Sequence, residues 1–184
     1  MPVIRVTYPE NGLTDKQKEA LAPLLIDAVM IQEVDPVSEV ARNATFIVYN
    51  EIPQKDCYVS KEPFWLVEGM TAAGFFNQKR RDEAQAAVVK AFTDVLGDDG
   101  KSIEMEGVRI APSYLLRLYF LLIEIPEGSW CAAGRPSSAL DIGHLIGTDK
   151  NPERWSEMKV NTAKMQASRP RLSWDTVFRI RTAD

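Results

Sequence analysis

The sequence is poor in the residues on which many enzyme sites depend. It has only two cysteines, Cys57 and Cys131, and a single histidine, His144, among 184 residues. Two cysteines are too few for a disulfide framework, and they lack the spacing of a metal site. Any Ser-His-Asp, Cys-His or multi-histidine metal site would have to use His144. The composition therefore directs attention away from the common histidine-dependent chemistries.

The chain also lacks a strong net charge and a long apolar run. Its net charge is −4 and its pI is about 5.2, so no basic field attracts nucleic acid or an anionic membrane. No apolar run reaches the roughly 18 residues of a spanning helix, and the N-terminus is not typical of a signal peptide. With 45% hydrophobic and 26% charged residues, the sequence predicts a globular, cytoplasmic protein without nucleic-acid or membrane partners.

What the chain does have is a proline directly after the initiator methionine. Pro2 leads into an apolar, β-branched run at 3–8 that is typical of a strand. A small residue at this place generally permits removal of Met1, which would expose a secondary amine on a residue with a fixed φ. A terminus anchored in a strand holds such an amine in place. Pro2 is therefore a candidate catalytic residue, although Met-Pro starts are also common in ordinary chains.

Two similar β-α-β patterns follow each other along the chain. The predicted elements are strands at 3–8, 44–52, 64–70 and 114–125 and helices at 15–33 and 78–96. The second strand of each pattern ends alike, in Glu51-Ile52-Pro53 and in Glu124-Ile125-Pro126. These matching ends indicate an internal duplication. Because parallel crossovers are right-handed, we predict an α/β (α+β) fold in which two fused β-α-β units form a four-stranded sheet with two helices on one face.

The last third of the chain does not repeat this unit. It contains turns, a short helical stretch near 153–166 and a basic tail at 169–181. We predict one domain over residues 1–140, with halves of about 2–63 and 64–135. A C-terminal arm over 141–184 is predicted to pack on this domain or on a neighbouring subunit.

Together, these features resemble the tautomerase superfamily. Pro2 at the head of a strand, the duplicated halves and the Glu-Ile-Pro strand ends are most similar to its fused, double-length members, such as cis-3-chloroacrylic acid dehalogenase and oxalocrotonate tautomerase-like proteins. The likeness covers residues 2–135 almost throughout. It implies that Pro2 acts as general base, as general acid when protonated, or as nucleophile on a small 2-oxo acid, enol or unsaturated carboxylate. It also implies a homotrimer and no cofactor or metal.

The resemblance further implies residues that bind a substrate carboxylate or line its pocket. Arg135 falls on the family's arginine after the Glu-Ile-Pro strand and is the first candidate for a carboxylate ligand. Trp130 falls where the family's short members have an aromatic wall of the pocket. Tyr119 matches a pocket residue on the last strand. Each also has an ordinary alternative, as a surface arginine or as a packing aromatic residue.

Two more cations have open roles. Arg117 shares one face of the last predicted strand with Tyr119, and a buried unpaired charge there would be costly. Arg117 is therefore functional, paired at an interface or on an exposed edge. Arg80 lies among three basic residues at the start of the second predicted helix, where it either binds the carboxylate or is solvated.

Other positions depart from the family's pattern. The dehalogenase's helix histidine falls on Val29, its water-activating glutamate falls on Ala132, and its two arginines fall on Ala72 and Phe75. These departures argue against hydrolytic dehalogenation by the familiar route. Simple proton transfer requires fewer groups and is the leading prediction.

Two alternatives remain open at the level of sequence. The first is a hydratase or dehalogenase that activates water with another acid, such as Glu68 or Glu124. The second is a non-catalytic oligomeric scaffold of the same fold, because a shared fold by itself establishes no chemistry.

Overall fold

The computed structural model describes residues 2–57, 62–132 and 134–167. Its strands are β1 (Val3–Pro9), β2 (Phe46–Ile52), β3 (Trp65–Ala72), β4 (Ile103–Met105), β5 (Val108–Ile110), β6 (Leu118–Ile125), β7 (Cys131–Ala132) and β8 (Arg135–Pro136). Its α-helices are α1 (Asp15–Glu33), α2 (Glu39–Asn43), α3 (Gln78–Leu96), α4 (Ala139–Ile146) and α5 (Pro152–Ala167).

The main sheet contains four strands in the order β2-β1-β3-β6. β1 is parallel to β2, and β3 is parallel to β6. The two central strands, β1 and β3, are antiparallel and join the halves. Each parallel pair needs a crossover connection, which α1 supplies in the first half and α3 in the second. The predicted fold of two fused β-α-β units is confirmed.

Local sequence signals explain where the two long helices begin and end. Thr14 caps α1 in a capping box with Gln17, whose side-chain oxygen accepts from the Thr14 N–H at 2.9 Å. Asn77 caps α3 by accepting from the N–H of Arg80 at 2.9 Å. Gly97 ends α3 with a φ of 72°, a conformation that glycine adopts without a Cβ penalty.

One face of the sheet packs on α1 and α3, and its apolar residues form the core. Ile4, Val6 and Tyr8 of β1 alternate towards the helices and are at most 1% exposed. The opposite face presents apolar side chains at its two edge strands. Their exposed fractions are 62% for Phe46, 49% for Val48, 58% for Tyr119 and 47% for Leu121.

The last strand of the sheet begins later than the sequence predicts. The residues before β6 form a 3-10 turn over Ser113–Arg117 instead of a strand. The Ser113 hydroxyl donates to Asp99 at 2.6 Å, and the Tyr114 hydroxyl donates to the carbonyl of Gly97 at 2.8 Å. These bonds tie the segment to the end of α3, so it does not pair with β3.

Several short elements lie outside the predicted pattern. They are α2, the hairpins β4–β5 and β7–β8, and α4. β3 continues to Ala72, two residues beyond the predicted strand, and β2 begins at Phe46 instead of residue 44. The helical stretch expected near 153–166 is α5. The predicted basic tail at 169–181 lies outside the described residues.

Candidate active site

Pro2 lies directly before β1 and is buried. Its carbonyl accepts a hydrogen bond from the N–H of Phe46 at 3.2 Å, which anchors it beside β2. On the other side, Val3 is paired with Met70 of the antiparallel strand β3. Pro2 precedes Val3 and Thr71 follows Met70, so this register puts Pro2 beside Thr71 at the end of the sheet.

The row that contains Pro2 continues across the sheet. Thr71 is fully buried and is the register partner of Glu124 on β6. Pro2 just before β1, Thr71 in β3 and Glu124 in β6 therefore follow one another across the end of the sheet. Arg81 of α3 donates to a carboxylate oxygen of Glu124, with an Nε–O distance of 3.2 Å. We call this row and the helix ends around it the Pro2 edge.

A buried carboxylate reaches the same edge from α1. Glu33 is the last residue of α1 and is 0% exposed. Its side chain accepts a hydrogen bond from the hydroxyl of Thr71. Burial of a carboxylate is unfavourable unless it is hydrogen-bonded or paired. The bond from Thr71 therefore holds Glu33 in position and offsets part of the cost of its burial.

The C-terminal arm closes the end of α1 at the Pro2 edge. Arg154 of α5 is 2% exposed and donates to the carbonyls of Gln32 and, at 3.1 Å, Phe75. Thr148 donates to the carbonyl of Glu33 at 3.1 Å. The last carbonyls of a helix have no partner inside it. The arm supplies these partners, and the positive charge of Arg154 suits the negative end of the helix dipole.

The arm also binds the start of α3. Glu157 accepts from Arg80 at 3.0 Å and from Arg154 at 2.6 Å, and it accepts from the side chain of the N-cap Asn77. Burial alone would raise the pKa of Glu157, but the hydrogen bond from Arg80 and the charge of Arg154 outweigh it and lower the pKa. A carboxylate at a helix N-terminus is also favoured by the helix dipole. Helix α5 therefore contacts both the end of α1 and the start of α3.

Arg154 is the most buried cation in this network. Burial lowers the pKa of its guanidinium, and the charge of Arg80 lowers it further, while Glu157 and Glu33 act in the opposite direction. Within the described residues, the Nε atom of Arg154 and the side-chain oxygen of Gln32 are buried without a hydrogen-bond partner.

The structure distributes the predicted site residues over different places. Arg80 lies at the Pro2 edge, but its guanidinium is paired with Glu157. Arg135 lies in the β7–β8 hairpin that follows β6, and it is exposed. It makes no ion pair with any residue that the structure describes. Trp130, at the base of this hairpin, packs partly against the core.

Arg117 and Tyr119 lie towards the other end of the sheet. The Nε of Arg117 donates to the carbonyl of Pro63 at 2.9 Å, and a second guanidinium nitrogen lies 3.8 Å from Glu62. Tyr119 is paired with Leu66 of β3, on the face of the sheet away from the helices. Within a single chain, neither side chain joins the Pro2 edge.

Sequence reasoning missed Glu33, Thr71, Arg154 and Glu157 as parts of this edge. A signal for Glu33 was present, because Leu21, Leu25 and Val29 precede it at intervals of four along α1. A carboxylate on such an apolar stripe is expected to face the core. No comparable local signal marks Arg154, whose partners come from distant parts of the chain.

A concave region away from the Pro2 edge lies between α1, α2 and α3. It is a cleft of about 610 Å³ whose lining includes Leu24, Ile31, Val37 and Ala87. On its rim, Arg42 donates to both carboxylate oxygens of Asp27 at 2.8 Å. None of the predicted site residues lines this cleft.

The parts of the chain that the structure describes contain no group of three or more His, Cys, Asp and Glu side chains placed to hold a metal ion. Within the same residues, no helix combines the length and apolar character needed to cross a bilayer.

The fold has counterparts among solved structures. A fused 4-OT that forms a symmetric trimer is 22% identical, with 77% of this chain and 98% of that chain covered and a TM-score of 0.55. Pt0534 inactivated by 2-oxo-3-pentynoate is 19% identical over 77% and 98% of the chains, with a TM-score of 0.55. Macrophage migration inhibitory factor from Toxoplasma gondii is 17% identical over 73% and 99%, with a TM-score of 0.52.

These solved structures belong to the tautomerase superfamily. The chain therefore has the tautomerase fold in its fused, double-length form, as the resemblance predicted. No family model and no curated protein matches the sequence.

Proposed function

We propose that this chain is a cofactor-free, tautomerase-like enzyme in which Pro2 acts as general base on a small 2-oxo acid or unsaturated carboxylate. The observation that carries the proposal is the position of Pro2: buried, anchored to Phe46 and next to Thr71 at the end of the sheet. Removal of Met1 would free its secondary amine. The fold that it shares with fused 4-OT and Pt0534 supports the same assignment.

The proposed reaction is a proton transfer between two atoms of one substrate. The Pro2 nitrogen takes a proton from the carbon next to the substrate's carbonyl. The electron pair of the broken C–H bond forms a C=C bond, and the π pair of the carbonyl moves onto its oxygen. The protonated amine then returns a proton to another atom of the enolate. Cations near the developing oxyanion stabilise it, and we propose Arg135 as the ligand of the substrate carboxylate, with Trp130 as an apolar wall.

The same reaction scheme assigns places to the remaining predicted residues. Arg80 shares the carboxylate of Glu157 with Arg154, so these three side chains together carry a net positive charge at the edge. Tyr119 and Arg117 lie too far along the sheet to act within one chain, so we propose that they reach the pocket of a neighbouring protomer. The apolar face that includes Phe46, Val48 and Tyr119 supports assembly into a homotrimer, the state named for the fused 4-OT relatives.

The first test is the intact mass of the native protein, which reports whether Met1 is present. The enol–keto conversion of phenylenolpyruvate is then compared between wild type and Pro2→Ala. We expect a mass without Met1 and a loss of at least about 100-fold in kcat/KM, because general-base catalysis contributes this much or more. A retained Met1, or conversion that does not depend on Pro2, would favour the non-catalytic scaffold instead.

A covalent probe extends this test. Pt0534 is inactivated by 2-oxo-3-pentynoate, a compound whose conjugated triple bond accepts an amine nucleophile. We expect wild type to gain the mass of one reagent molecule at Pro2, located by peptide mapping. The Pro2→Ala variant has a primary amine in place of the secondary amine, so labelling at an equal rate in that variant would argue against a special reactivity of Pro2.

One observation favours hydration or dehalogenation as the second candidate function. Glu124 lies in the Pro2 row and is held by Arg81, so its carboxylate is positioned for activation of a water molecule. Release of chloride from cis-3-chloroacrylate tests this function. It is supported if wild type releases chloride and Glu124→Gln does not, and it is rejected if wild type releases none.

A further inference from the structure

The Pro2 edge contains a buried acid that the proposed reaction does not use. Glu33 is 0% exposed and accepts a hydrogen bond from Thr71, which is also 0% exposed. Cross-strand neighbours on one face of an antiparallel pair have Cβ atoms about 5 Å apart. Thr71 follows Met70, the partner of Val3, so the register continues to Pro2 and the bond from Thr71 places the Glu33 carboxylate at the Pro2 end of the sheet.

Hydrogen-bond donors from several elements surround Glu33. Thr71 donates to the carboxylate, and the backbone carbonyl of Glu33 is bonded by Thr148. Arg154 binds the carbonyl of the preceding residue, Gln32, and its guanidinium interacts with the charge of Glu33. An aliphatic residue at position 33 would continue the apolar stripe of α1 without these compensating partners. A carboxylate that is buried at this position therefore indicates a role beyond packing.

We propose that Glu33 is a positioning residue that orients the amine of Pro2 and holds the proton on it between the two transfer steps. This inference rests on the proposed function of Pro2 as the base. A protonated secondary amine has two N–H bonds. The carboxylate of Glu33 accepts one of them, which leaves the other directed at the substrate. No net proton is gained or lost, because the proton taken from one substrate atom is replaced at another.

Several charged groups act on the Pro2 amine from the elements around it. Glu33 from α1 and Glu124 from β6 favour the protonated form. Arg80 and Arg81 from α3 and Arg154 from α5 favour the neutral form, while Glu157 offsets part of the charge of Arg80 and Arg154. Glu33 is the fully buried acid in this set. Because solvent screens a buried charge least, we expect Glu33 to have the largest effect on the pKa of the Pro2 amine. Its removal should therefore lower the pKa of the amine.

The test measures the amine directly and needs no substrate. Protein labelled with 15N-proline is titrated by NMR, because a freed N-terminal proline nitrogen titrates and an amide proline nitrogen does not. We expect Glu33→Gln to lower the pKa of Pro2 by about 1 to 3, the range for loss of a close opposite charge. Thr71→Val should cause a smaller decrease. Glu83→Gln, which removes the same charge from the exposed side of α3, should leave the pKa within about 0.3 of wild type, because exposed distant charges are screened.

The outcomes separate the inference from the proposed function. If Pro2 titrates and its pKa is unchanged in folded Glu33→Gln, the inference is overturned and the function of Pro2 stands. If no proline nitrogen titrates because Met1 is retained, both are overturned. If Glu33→Gln does not fold, two milder variants replace it: Glu33→Asp keeps the charge, and Thr71→Val keeps the carboxylate. The inference is then overturned if the pKa of Pro2 is unchanged in Thr71→Val and the kcat/KM pH profile is unchanged in both variants.

The pH profile of activity gives a second measurement, which would not shift if Glu33 had only a structural role. The acid limb of the kcat/KM pH profile follows protonation of the base in the free enzyme. In Glu33→Gln this limb should shift to lower pH by the same amount as the pKa in the NMR titration. A loss of activity that is equal at every pH would instead indicate a general disturbance of the fold.

Discussion

Replacement of Arg154 by methionine should destabilise the protein because it removes contacts of the arm with the end of α1, with the segment before α3 and with Glu157. The guanidinium donates to the carbonyls of Gln32 and Phe75 and to the carboxylate of Glu157. Methionine is of similar length and provides no donor. Two buried carbonyls then lose a partner, and Glu157 keeps only the donors of Arg80 and Asn77.

The magnitude follows from these lost partners. An unsatisfied buried acceptor costs about 1–3 kcal/mol, and removal of one partner of a buried ion pair costs about 3–5 kcal/mol. Relief of the burial penalty on the Arg154 charge offsets part of this sum. We therefore expect a loss of about 3–5 kcal/mol in the free energy of unfolding. At about 2–4 °C per kcal/mol for a chain of this size, Tm should fall by about 6–20 °C.

Urea denaturation at a fixed protomer concentration measures this loss, since an oligomer's apparent stability depends on concentration. Lys159→Met is the matched control, because it makes the same chemical change on an exposed position of α5. It should change stability by less than about 1 kcal/mol. Arg154→Lys keeps the charge but not the several donors of the guanidinium, so its loss of stability should lie between those of the other two variants. A loss below about 1 kcal/mol in Arg154→Met would refute the reasoning.

Three further predictions follow from local contacts. The hydrogen bond from Ser113 lowers the pKa of Asp99 to about 2 from 3.8, so this bond stabilises the fold above about pH 4 and its contribution is lost as the pH falls towards 2. In thermal unfolding, the Tm of Ser113→Ala should therefore differ most from that of wild type near neutral pH and least near pH 2. By light scattering, Val48→Lys should dissociate the proposed trimer, whereas the equally exposed Val160→Lys should not. Gly74→Ala should lower Tm, because φ is 113° and a Cβ would meet a threonine hydroxyl of α5 at 2.9 Å.

The architecture of the sheet could be predicted from the sequence because its signals are local. The alternation of Ile4, Val6 and Tyr8 and the four-residue spacing of Leu21 and Leu25 fix which faces are buried. The matched Glu-Ile-Pro ends indicated the duplication. The late start of β6 could not be predicted, because the apolar segment before it is held out of the sheet by side-chain bonds to the end of α3.

The candidate site was predictable only in part. Pro2 stands out in the sequence, and its burial at the end of the sheet follows from its place before an interior strand. The predicted cations were harder to assign. Arg80 and Arg135 look alike as exposed basic residues in the sequence, yet in the structure Arg80 is paired with Glu157 and Arg135 is exposed. The difference depends on where α5 lies.

The sequence by itself determined the elements, their buried faces and the pairing of two β-α-β halves, since periodicity and helix caps act within a few residues. Only the tertiary structure decided which polar groups are buried together at the Pro2 edge. Thr71 and Glu33 are 38 positions apart, and Arg154 and Gln32 are 122 apart. Such partners are chosen by the packing of α5 across the helix ends, where unpaired backbone carbonyls and a buried carboxylate require donors that no neighbour in sequence supplies.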